Sequence, residues 1–202
     1  MAAHSPQKAQ VYPRDIVVIG ASAGGVSALL QPVKTLPADF PASILVVLHV
    51  APNSPTMLPQ LLDSVSMLKV KHPQDGELIE AGVMYIAPPD HDLLLNGNQV
   101  LVTRGPKENR FRPSIDALFR SVAYAYGPHV IGVVLTGYLN DGSAGLWWVQ
   151  QLGGLVIVQD PRDAEQPTMP AHALTVVAAD YIVPLAQLGP LLVYLTTPDE
   201  SL

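Results

Sequence analysis

The chain has 202 residues, 49% hydrophobic and only 14% charged, which gives enough apolar material for a full core and excludes intrinsic disorder. A net charge of −6 without a polybasic run argues against nucleic acid and membrane surfaces as partners. The absence of cysteine excludes disulfides, a cysteine nucleophile and a thiolate metal site.

The polar stretch 1–12 lacks the apolar centre of a secretion signal, so residues 1–14 are expected to form a loose N-terminal tail. The first apolar run, residues 16–19, stops at Gly20 and continues as Ala21, Ser22, Ala23, Gly24 and Gly25. That is the form of a strand, a sharp turn and a helix, with G-x-S-x-G spelled by Gly20 to Gly24. A helix is predicted over 25–36, then a strand over 44–48 that ends at His49. Next come a helix over 56–62 and a strand over 83–86. Asp92 to Leu95, Asn96-Gly97-Asn98 and Gln99 to Thr103 read as a hairpin with an Asn-Gly turn, hence an antiparallel appendage. Pro113 and Ser114 open a helix over 114–126, with Ile115, Leu118, Phe119 and Val122 on one face. Strands at 130–135, 155–158 and 181–183 alternate with helices at 143–152, 169–178 and 184–195, and a tail follows over 196–202.

The strand-length runs are almost continuously apolar rather than alternating, as in strands buried on both faces of a parallel sheet. The predicted fold is therefore α/β: one domain over 15–195, a doubly wound, mostly parallel sheet with helices on both faces. Many of the 20 prolines fall where strands should end, as at Pro88-Pro89 and Pro161. No apolar run approaches the ~20 residues of a membrane span, so a cytoplasmic protein is expected.

Three polar residues follow predicted strands, at the end where open α/β sheets bind ligands. Ser22 follows the first, His49 the second, and Asp141 the run 130–135. A serine hydroxyl needs a base within reach, and the base needs a carboxylate to fix its tautomer and support its charged form. The order Ser, His, Asp differs from the Ser, Asp, His order of α/β-hydrolases, so that fold is not the template. Each residue also has a structural reading: Ser22 as a helix cap, His49 as a satisfied polar residue, and Asp141-Gly142 as a turn or N-cap pair. His4, His72, His91, His129 and His172 show no metal-ligand spacing, and no metal or cofactor is assigned. The glycine turn could instead hold phosphate or a nucleotide, but no P-loop lysine and no G-x-G-x-x-G follow it. Adjacent Trp147 and Trp148 cannot both face one side of a helix, so one could mark an interface, while partial burial of both is the more ordinary outcome.

Four segments together resemble the catalytic domain of the chemotaxis receptor methylesterases. They are Gly20 to Gly25, the strand ending in His49 with Pro52 beyond it, Asn109 to Asp116, and Leu135 to Gly145. Weaker similarity at Asp75 to Glu77 and Tyr85 to Pro88 extends the resemblance over about 15–195. It implies a serine hydrolase that demethylates glutamate methyl esters on cytoplasmic chemoreceptor helices, releases methanol and also deamidates certain receptor glutamines. Its triad would match Ser22, His49 and Asp141. The resemblance places oxyanion-binding N–H groups near Ala23 and Tyr138. Arg110 and Arg112 would hold an acidic helix, or else belong to a solvated loop anchored by Pro113.

The family pattern has threonine at Ala23, Gln-His-Met at Leu48-His49-Val50 and Met-Gly at Tyr138-Leu139. These departures flank the triad, and their expected effect is a reshaped ester pocket, with altered substrate choice or weakened activity. Family enzymes also carry an N-terminal receiver domain. With about 14 residues before the first strand, the chain is expected to lack it, leaving activity constitutive or set by a separate receiver or signalling protein. The alternative is a signalling module that keeps the fold and binds a receptor-like helical partner without turnover.

Overall fold

A computed structural model describes residues 13–53 and 57–197 of the chain. Its centre is β1 (Ile16–Ala21), buried along its whole length. Alternate residues of β1 serve opposite cores. Ile16 and Val18 join one cluster with Leu118, Phe119, Leu146 and Met169, while Val17 and Ile19 join another with Leu29, Val33 and Leu192. Both faces are covered, which is the physical reason for the unbroken apolar run.

β1 pairs in parallel with β2 (Ser43–Leu48) on one side and β7 (Val130–Val134) on the other. The sheet extends outward through β4 (Val83–Ile86) to β3 (Lys69–Lys71), and through β8 (Leu155–Gln159) to β9 (Tyr181–Val183). The seven-stranded order is β3-β4-β2-β1-β7-β8-β9, and every pairing in it is parallel. Chain direction across the sheet reverses between β1 and β7, so the crevice at their carboxyl ends is the switch point where such sheets bind ligands.

One face carries α1 (Gly25–Val33), α2 (Leu58–Asp63) and α6 (Leu185–Thr196). The other carries α3 (Ile115–Tyr126), α4 (Ser143–Gln151) and α5 (Thr168–Val176). Each observed helix differs from its predicted span by one to a few residues at one end or both. α1 stops at Val33, where the Thr35 hydroxyl and N–H both turn back to the Pro32 carbonyl. Thr196 belongs to α6, and its hydroxyl donates to Leu192 O at 2.8 Å. The N-terminal tail up to residue 12, Thr56 and the last residues from 198 lie outside the described residues.

Sequence reading missed β3. Lys69-Val70-Lys71 has one buried side chain, too little periodicity to register, and its lysines suit an edge that must not pair with another chain. The predicted hairpin is present as β5 (Asp92–Asn96) and β6 (Gln99–Thr103), antiparallel and outside the main sheet. It is more than an appendage, because Leu93, Leu95 and Val100 enter the core with α3. Buried Asp92 accepts from Ser114 N at 2.9 Å, tying the hairpin to the start of α3 and fixing the loop between them. Trp147 and Trp148 meet edge to face at 4.8 Å. Trp147 is exposed and Trp148 packs on the core, so neither is wholly outside. No helix among the described residues is long and apolar enough to cross a membrane.

Candidate active site

Ser22 lies where β1 ends. Its N–H donates to Thr136 O at 3.0 Å, joining the ends of β1 and β7, and its carbonyl accepts from Gly25 N at 2.8 Å. Gly24 holds φ 75°, and a Cβ there would sit 2.8 Å from a Glu165 carboxylate oxygen. Glycine is required on both counts. The same contact puts a carboxylate against the start of α1, where a phosphate would otherwise bind, which disfavours the phosphate-binding reading.

His49 follows β2, its N–H bonded to Ala21 O at 3.1 Å. The imidazole bridges two partners: Nδ1 is 3.3 Å from Ser22 Oγ and Nε2 is 2.8 Å from Asp141 Oδ2. Phe111 stacks on the ring at 3.7 Å and 5° between planes, so one face of the base is shielded from water. Asp141 accepts only donors. The Asn109 side-chain amide, the Ser114 hydroxyl and Asp116 N reach Oδ1, and Ile115 N at 2.8 Å shares Oδ2 with His49. An oxygen surrounded by donors assigns the proton to His49 Nε2 and leaves Nδ1 as the acceptor facing Ser22. Burial raises the Asp141 carboxyl, but hydrogen bonds from His49, Asn109 and Ile115 outweigh it and hold the group below the usual carboxylate range.

Two N–H groups flank this chain of hydrogen bonds. No hydrogen bond within the described residues uses the N–H of Ala23 or Tyr138. The turns carrying them approach closely, since a Cβ at Gly137 would lie 2.7 Å from Ser22 Cβ and 2.8 Å from Met169 Cε. Gly137→Ala is therefore expected to destabilise the fold by about 1–3 kcal/mol through overpacking. A fall in the urea midpoint measures this, and an unchanged midpoint would show that the turns can separate. The side chains of Tyr138 and Leu139 stand on the rim, each 52% exposed. Leu139 holds φ 66°, a left-handed conformation that disfavours a branched side chain by roughly 1–2 kcal/mol.

The two arginines part company. Arg112 turns away to Asp90, with Nη2 at 2.6 Å and Nε at 3.0 Å from Oδ1, and so anchors its own loop. Hydrogen bonds from Arg112 and then Arg104 hold the Asp90 carboxyl below its ordinary range. Arg110 is exposed and makes no ion pair among the described residues. With Lys107 and Phe111 it lines a hollow of about 170 Å³ beside His49. A second hollow of about 470 Å³, lined by Val26, Leu48, Leu58 and Leu61, shares Val50 with the first. Leu48, where the family pattern has glutamine, thus lines the apolar side.

Sequence reasoning assigned no site role to Phe111, Asn109, Asp116 or Glu165. The first three lie in the Asn109 to Asp116 segment that carries the family resemblance, which was the available signal, but an irregular loop has no periodicity to show which of its side chains turn to the site. Glu165 reaches Gly24 only across the β1–β7 crevice.

A family model described as CheB methylesterase matches residues 17–192. A protein-glutamate methylesterase/protein-glutamine glutaminase of Methanosarcina mazei is 38% identical over 184 residues. That alignment covers 87% of this chain and 50% of the relative, so the chain spans about half its length. A Leptospira interrogans protein whose name carries the same two activities is 36% identical, with 90% of this chain and 94% of that protein covered. The crystal structure of the Thermotoga maritima CheB methylesterase catalytic domain matches with a TM-score of 0.84 at 36% identity, covering 90% of this chain and 98% of that domain. Since the model match takes in both faces of the sheet and the ends of β1, β2 and β7 that meet at the crevice, the chain belongs to the CheB methylesterase family.

Proposed function

We propose that residues 15–195 act as a serine hydrolase that removes methyl esters from glutamate side chains of chemoreceptor-type proteins and releases methanol. Ser22 is the nucleophile, His49 the general base and Asp141 the orienting carboxylate. The observation that carries this reading is the continuous chain from Ser22 Oγ to His49 at 3.3 Å and from His49 to Asp141 at 2.8 Å. It stands in a sequence 38% and 36% identical to proteins named for that activity.

His49 Nδ1 takes the Ser22 proton as Oγ attacks the ester carbonyl. The imidazolium forms against Asp141, which stays ionised. In this reading the carbonyl oxygen becomes an oxyanion that accepts from the unused Ala23 and Tyr138 N–H groups. Losing one such donor would cost roughly 10²–10³ in rate. His49 returns the proton to the methoxy oxygen and methanol leaves. His49 then activates water, which attacks the acyl-enzyme and frees glutamate and Ser22. With a glutamine substrate the same steps release ammonia. Arg110, beside Lys107, offers cations to carboxylates neighbouring the ester, and Arg112 serves that surface by holding the loop. The partners in this reading are methylated cytoplasmic receptor helices.

The test is methanol release from methylated cytoplasmic fragments of a chemoreceptor, with and without prior fluorophosphonate labelling of Ser22. Saturable release that stops on labelling is expected. Labelling without release would move the reading to another ester. Neither release nor labelling would leave a helix-binding module without turnover.

A further inference from the structure

A fourth side chain, Asp116, is built into the triad, an inference that rests on the roles given to Ser22, His49 and Asp141 above. Asp116 lies in the first turn of α3, and Asp141 just ahead of α4. Both are buried, at 3% and 0% exposure. Each carboxylate is held by the N-terminus of the other's helix. Asp141 accepts from Ile115 N at 2.8 Å and Asp116 N at 3.2 Å, the first N–H groups of α3. Asp116 Oδ1 accepts from Gly142 N at 2.9 Å and Gly145 N at 2.6 Å, at the start of α4. Asn109 closes the exchange, its Nδ2 lying 2.6 Å from Asp116 Oδ2 and 3.0 Å from Asp141 Oδ1. Asn109 holds φ 50°, a left-handed conformation that asparagine tolerates better than most residues.

Two buried carboxylates sharing one amide repel each other. Capping two helices does not require that arrangement, because each N-terminus could be capped by a neutral serine or asparagine. What the exchange does supply is a fixed orientation. Asp141 cannot rotate without losing the donors from Asn109, Ser114, Ile115 N and Asp116 N, and Asp116 holds Asn109 on one side and the Gly142 N–H next to Asp141 on the other, so Oδ2 is kept on His49.

We infer that Asp116 is a positioning residue for the hydrolysis, setting the Asp141 carboxylate toward His49 through Asn109 and the start of α4. Burial and the Asp141 charge push its own carboxyl up to about 6. The other charged or titratable groups on the elements packed around it are His49 beyond Asp141, Asp92 of β5, the Glu108–Arg120 ion pair and His172 of α5, which meets Ser143.

Asp116→Asn is the test, made in the full chain. Asparagine keeps an acceptor for Gly142 and Gly145 but turns an NH2 toward the Asn109 amide, breaking the bridge. The expected kcat for methanol release falls about 10- to 100-fold, the scale of losing an outer partner of a reacting group, with KM within about twofold. The acid limb of the rate profile changes shape, because a carboxyl raised by burial and by the Asp141 charge no longer titrates beside the triad. The low-field proton resonance of the His49–Asp141 hydrogen bond shifts or broadens. A residue that only capped α4 would lower the melting temperature and leave kcat, the acid limb and the resonance in place, and that result overturns the proposal. Should Asp116→Asn not fold, Asn109→Ala on the exposed loop is read in the same way, and an unchanged kcat and resonance again overturn it. If the wild-type chain releases no methanol, the resonance still reads the link from Asp116 to His49, so the failure of the hydrolase reading and the failure of this one remain separable.

Discussion

Asp141→Asn should lower turnover about 10⁴-fold while the variant still folds, the scale seen when a triad carboxylate becomes an amide and inverts the base's tautomer. The reason is specific to this site. Both Asp141 oxygens receive donors, from Asn109, Ser114 and Asp116 on one and from Ile115 and His49 on the other. Whichever way the asparagine flips, its NH2 meets a donor. If it faces His49, Nε2 must give up its proton and accept, and Nδ1 then carries the hydrogen that faces Ser22. The base can no longer take the serine proton. If it faces the other way, Asn109 and Asp116 N lose their acceptor at a buried position, at about 1–3 kcal/mol. Thermal unfolding should show a drop of that size, and stopped-flow ester hydrolysis the loss of rate. A variant with near wild-type turnover would show that Asp141 is no more than a structural cap.

Ser22→Ala should reduce hydrolysis by about 10⁴-fold or more and abolish fluorophosphonate labelling, with stability within roughly 0.5 kcal/mol of wild type. Among the described residues the Ser22 side chain makes one hydrogen bond, to His49, while its backbone N–H to Thr136 O is untouched by the change. A half-buried hydroxyl with one long contact of 3.3 Å carries little folding energy, so chemistry and stability separate cleanly at this position. Labelling of the alanine variant at another residue, with hydrolysis intact, would place the nucleophile elsewhere.

Most of the sheet was legible because its physics is local. A strand buried on both faces must be apolar at every position, and 83–86 announces its limits where the structure has them. The limits of 181–183 were legible too, as a short aromatic and β-branched run between Asp180 and Pro184, although it is an edge strand with Ile182 exposed. The hairpin was legible from Asn96-Gly97, whose glycine takes φ 58°. Edge strand β3 was not, since a strand paired on one side needs only one buried residue in three.

The site divides in the same way. Sequence alone placed a serine and a histidine at the carboxyl ends of strands and an aspartate in the loop beyond a third, because strand ends are marked by the change from apolar runs to glycine and polar residues. It could not determine what holds them. Phe111 on the imidazole, the Asn109 bridge, Arg112 turned to Asp90 and Glu165 against Gly24 join positions far apart in the chain. Arg110 and Arg112 look alike in sequence, and only folding sends one to the hollow beside His49 and the other to an ion pair. Strand and helix signals arise from neighbours within a few residues. The orientation of a side chain at an active site is set by packing and hydrogen bonds between segments that only tertiary structure brings together.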